Sequence, residues 1–203
     1  MNHLHPPVFT SLMLIMILSF AALTKSNEGE LPEEWLSRMG FAPKDIWLKK
    51  FENIFLSAFI TDSRRAFIQA LVMIFFFVGA LELRLTTWIT MLYFWCIHVL
   101  TLFFVTLFII GPFEKTGHKL GQSLYLSKDV GPSAGYFGCL GVLIHNFFGA
   151  GIGWIVFLSV IIGMLIYLRV PVSEEKKLMK LHADLAHMVA LSMGFLAYFL
   201  IAV

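Results

Sequence analysis

Charge is scarce in this chain. Of its 203 residues, 14% are Asp, Glu, Lys or Arg, against about 25% in soluble domains. A soluble fold with a charged surface is therefore excluded. Imbalance of sign is scarcer still. The net charge is +2, which leaves no electrostatic footprint for a nucleic acid. Cysteine is nearly missing. Cys96 and Cys139 both lie in apolar runs and read as buried thiols, not as a disulfide framework or a metal site. His98, His145 and His187 sit in different apolar segments without ligand spacing, so no metal and no cofactor is expected. The first apolar run lacks the basic flank of a signal peptide, since Asn2-His3-Leu4-His5-Pro6-Pro7 precedes it. It is expected to be a retained anchor. Internal repeats and low-complexity tracts are also missing.

Apolar residues fill the space. They make up 59% of the chain, and mean hydropathy is +0.82. A bilayer core is about 30 Å thick and needs about 20 apolar residues per helix. Six candidate spans follow, over residues 8–24, 66–83, 87–111, 133–148, 150–169 and 183–202. The expected fold is an all-α integral membrane protein with a single membrane domain over 1–203. It has a first span at 8–24, an extramembrane loop at 25–65 and five further spans within 66–202. The connections 112–131 and 170–182 are polar, while those at 84–86 and 149 are very short. Within 25–65, Trp35, Trp47, Lys49, Lys50 and Phe51 suit the membrane interface, where tryptophan rings and lysine heads settle. That segment reads as a structured loop without chemistry of its own.

Two polar residues stand at the heads of apolar runs. The fourth span is only about 15 residues long, so its start is expected to lie below the membrane surface, buried in protein or beside a wet cavity. Pro132 suits a first helical turn. Ser133 then lies at the positive end of a helix, where free N–H groups favour a developing oxyanion. Gly131, Gly135, Gly138 and Gly141 keep one flank small for close helix packing. His187 lies about one turn into the sixth span, followed by Ala190 and Gly194 on a second small face. If the two faces meet, Ser133 can act as nucleophile and His187 as general base. The bland alternatives are a helix-capping serine and a histidine bonded to a carbonyl.

Gly131-Pro132-Ser133 with Gly135 and Gly138, and Ala186-His187 with a small residue three later, resemble the rhomboid family of intramembrane serine proteases. Upstream, Gly79 followed by Glu82-Leu83-Arg84-Leu85 is similar to the close of that family's second helix, and Trp47 and Leu56-Ser57-Ala58-Phe59 to the loop before it. The likeness covers most of residues 47–200. It implies a six-transmembrane-helix rhomboid-type bundle in a bacterial inner membrane. The implied activity is that of a serine endopeptidase cleaving a peptide bond in or near a substrate's transmembrane segment, through a Ser133–His187 dyad. The implied partners are a transmembrane protein substrate and the lipid bilayer.

Three departures stand against this pattern. Ala134 follows the serine where the family has glycine. Ala66 and Ala70 occupy the positions of the family's second-helix histidine and asparagine, which leaves Gln69, His98 and Gly131 as candidate oxyanion or supporting groups. Pro132 offers no N–H. They favour an alternative, a weak or inactive rhomboid-like protein that binds transmembrane helices. A transporter or channel would line several spans with polar groups, and spans two, three and five are almost wholly apolar. Asp184 reads as a loop-facing charge or cap. Orientation is in conflict. Of the 15 Lys and Arg, Arg84 alone falls opposite the three basic loops, so the positive-inside rule puts the Ser133 end in the cytoplasm. The family resemblance puts it outside.

Overall fold

Short polar signals set the starts of the two long apolar helices. The computed structural model describes residues 6–168 and 174–198. In chain order the helices are α1 (Val8–Thr24), α2 (Glu33–Met39), α3 (Pro43–Trp47), α4 (Glu52–Leu56), α5 (Arg64–Arg84), α6 (Thr87–Lys115), α7 (Lys119–Leu126), α8 (Ser133–Leu168) and α9 (Glu174–Ala197). Ser63 caps α5 by accepting from Ala66 N at 3.3 Å, and Thr86 caps α6 by accepting from Ile89 N at 3.3 Å. Each supplies an acceptor to a first-turn N–H with no intrahelical partner. No strand occurs among the described residues. There are only isolated bridges, Glu30 with Ser63 and Phe41 with Asp129.

The two long apolar helices each contain a widened turn, over Ile74–Val78 in α5 and Val105–Ile110 in α6. In α6 the widening precedes Pro112, which has no N–H for the carbonyl four residues back, and the looser turn accommodates that loss. α8 bends at Gly149, where φ is +67° and ψ −178°. A side chain would be strained there.

The core forms where α1 lies across α5. Phe9, Met13 and Ile17 pack on Ile74, Val78 and Leu81, and Phe94 of α6 and Tyr136, Cys139 and Val142 of α8 complete the cluster. One carboxylate locks this junction. Glu82 accepts from Phe9 N at 2.8 Å, Thr10 N at 2.8 Å, Thr10 Oγ1 at 2.7 Å and Thr87 Oγ1 at 2.7 Å. It therefore satisfies the exposed N–H groups at the positive end of α1 while fixing the α5–α6 turn. Arg84 bonds Asn146 and lies over the Phe147 ring, tying the same corner to α8 just before its bend.

Outward faces are apolar. Phe75, Phe76, Trp88, Leu92, Phe108, Ile155 and Ile166 are exposed, as expected of a surface that meets something other than water. α5 and α6 are long and apolar enough to cross a membrane. Val8–Thr24 and Gly151–Tyr167 are apolar but shorter.

Some expected boundaries shift. The connection 112–131 holds the end of α6 and all of α7, and α9 begins at Glu174, so 174–182 is helix and not loop. Residues 1–5, 169–173 and 199–202, parts of the expected flank, connection and last span, lie outside the described residues.

Candidate active site

The approach to Ser133 is held from outside the long helices. Gly131 has φ +118°, a conformation that side chains other than hydrogen avoid, and its N–H donates to Ser57 O at 2.7 Å. Phe41 and Asp129 exchange two backbone bonds, of 3.0 and 2.7 Å, and Lys128 Nζ donates to Ser37 O and Gly40 O at 2.6 and 3.0 Å. Segment 25–65 therefore serves as a scaffold for the turn that starts α8. Asp45 stiffens it, accepting from Ala42 N at 2.9 Å and Asn53 Nδ2 at 3.1 Å. Two expectations change here. The Gly131 N–H is already spent on Ser57, so this glycine contributes backbone shape and not an oxyanion donor. His98 Nε2 sits 2.9 Å from Ile54 O, with its ring stacked on Phe94. It pins the scaffold to α6, and its Nδ1 is buried without a partner.

Small residues set the distance between α8 and α9. A Cβ on Gly194 would overlap the Gly138 carbonyl, and one on Gly141 would overlap the backbone of Leu191 and Phe195. These backbones touch because no side chain separates them. Ala190 is buried with Ala134 and Ile97, so the alanine after Ser133 fills this contact. Gly135 turns elsewhere, because its Cβ would run into the Phe94 ring of α6. The crossing carries His187 onto α8, where its ring stacks on Phe137, one turn beyond Ser133, at 4.5 Å between centroids. No hydrogen bond joins Ser133 to His187 among the described residues.

A cavity of about 510 Å³ opens beside this crossing. Its lining includes Gln69 of α5, Phe137 and Tyr167 of α8, and Lys180, Asp184 and His187 of α9. Gln69, an expected oxyanion group, thus shares a space with His187, although Ser133 is not part of that lining. Asp184 corrects the reading made from sequence. It is buried, and its Oδ1 lies 3.7 Å from His187 Nδ1. Helical side chains lean toward the N-terminus, so His187 reaches back over the residue three earlier. The i, i+3 spacing was the available signal, since residues three apart on a helix are neighbours. Phe137, the ring that receives His187, was also missed. It lies four positions after Ser133, which puts it on the same helix face.

The chain matches no known protein family and no curated protein sequence.

Proposed function

We propose that this chain is an intramembrane serine protease of rhomboid type, with six spans and a Ser133–His187 dyad. The observation that carries the reading is the glycine-on-glycine crossing of α8 and α9. It stacks His187 on Phe137, one turn from the residue that opens α8. In this mechanism His187 Nε2 takes the Ser133 proton as Oγ attacks the scissile carbonyl. Unpaired N–H groups in the first turn of α8 face the developing oxyanion. The proton then passes to the leaving amine, and water hydrolyses the acyl intermediate. The apolar outer faces of α5, α6 and the second half of α8 support a bilayer setting, and the cavity beside His187, with Gln69, Lys180 and Asp184 on its wall, gives room for water.

A second reading, a rhomboid-like protein that binds transmembrane helices without cutting them, is favoured by two contacts. Gly131 N–H and His98 Nε2 are both committed to backbone carbonyls of the scaffold. A fluorophosphonate probe on the purified protein separates the two. The protease reading expects covalent labelling of the wild type and none of Ser133→Ala. A wild type that stays unlabelled leaves the binding reading.

A further inference from the structure

We propose that Asp184 is a positioning residue that holds His187 with its proton on Nδ1, so that Nε2 presents its lone pair to Ser133. The inference rests on the protease reading and deepens it, since a dyad by itself includes no acid. Asp184 Oδ1 is 3.7 Å from His187 Nδ1, and its Oδ2 is buried without a hydrogen-bond partner. A carboxylate enclosed in this way is costly unless a donor or cation faces it. The imidazole supplies one. At 3.7 Å the contact is electrostatic and too long for a hydrogen bond, and such contacts shorten when a site fills. Stacking on Phe137 fixes the plane of the ring, which leaves rotation about that plane and the choice of tautomer for Asp184 to settle. During attack His187 becomes an imidazolium, Asp184 stabilises that charge without taking the proton, and the proton leaves with the amine. The other titratable groups around the cavity are Arg65 on α5, Tyr167 on α8 and Lys180 on α9. Lys180 Nζ donates to Tyr167 O at 2.9 Å and lies over the Tyr167 ring.

Nitrogen-15 histidine NMR of the purified full chain in micelles tests the assignment, with His187→Gln identifying the resonance. In the wild type, His187 is expected as the Nδ1–H tautomer. In Asp184→Asn the Nε2–H tautomer is expected to gain population, because the amide no longer holds a proton on Nδ1. Fluorophosphonate labelling of Ser133 is expected to slow at least about tenfold, less than the loss of about 10⁴ seen when a tightly bonded triad acid is replaced. Asp184→Glu keeps the charge and is expected to keep the tautomer, and it decides the matter where the amide variant does not fold. An identical tautomer in wild type and Asp184→Asn, or loss of the Nδ1–H form in Asp184→Glu, overturns the proposal. An unlabelled wild type overturns the protease reading instead, and the NMR result still decides the role of Asp184.

Discussion

Glu82 has few possible replacements, because all four of its bonds come from donors. Glutamine offers one oxygen and turns an NH₂ group toward those donors. Glu82→Gln is therefore expected to cost about 2–3 kcal/mol, the scale of a charge-assisted bond lost with its partner left buried, seen as a lower melting temperature in micelles. His98 presents a different case. Its bond to Ile54 O spans the scaffold and α6, so His98→Leu is expected to increase proteolysis within residues 42–57 while Ser133 labelling survives. Loss of labelling with the scaffold still protected would return His98 to the oxyanion role. His182 adds a dependence on pH. It is fully buried, and its Nδ1 lies 3.2 Å from Ser127 Oγ. Burial pushes its pKa below the ordinary imidazole value, while Asp129 and Ser127 pull it upward. A depressed folded-state pKa means that the unfolded chain binds more protons below about pH 6.5. Stability from this residue is present above that pH and is lost as pH falls. His182→Asn is expected to flatten thermal stability between pH 7 and 5, and an unchanged slope would show that His182 contributes none of it.

At the scale of elements, α8 and α9 are held at backbone contact, and one methyl group decides whether they stay there. Gly194→Ala places a Cβ in the Gly138 carbonyl, with no flexible side chain to yield. It is expected to destabilise the chain by about 1–3 kcal/mol, the range for overpacking that shifts backbone, and to abolish Ser133 labelling. Gly151 has nothing within 4 Å of a built Cβ, so Gly151→Ala is expected to leave both melting temperature and labelling near wild type. Equal behaviour of the two variants, measured side by side, would remove the crossing as the positioning device.

For the whole molecule, the proposed function requires that Ser133 face one side of a bilayer. Under the rhomboid reading, the scaffold, α7 and the start of α9 lie outside the cytoplasm, although nearly all basic residues are on that side. Loop charge biases insertion, but early helices and the packing of the fold can override it. A cysteine at exposed Lys119, in a background without Cys96 and Cys139, is expected to react with an impermeant maleimide in intact cells. Reaction only after the membrane is opened would put the site on the cytoplasmic face, with substrates met from there.

The apolar runs alone placed α1 at Val8–Thr24 and located α5, α6 and the bend at Gly149 within a few residues. Hydropathy and glycine act locally, so their effects can be read along the chain. Close packing at Gly141 and Gly194 was also legible from the small residues, although Gly135 and Gly138 make room for Phe94 and Ile97 of α6 instead. Other features depended on tertiary structure. Whether Gly135 meets α9 or Phe94, whether His98 faces a cavity or the Ile54 carbonyl, and whether Gly131 keeps its N–H free all depend on partners more than 40 residues away. Asp184 is the closest case. Its spacing from His187 was visible in the sequence, but its burial came from the helices that close over α9. Burial turns a surface charge into an acid that must find a partner, because a low-dielectric site strengthens the pairing and penalises the charge left alone.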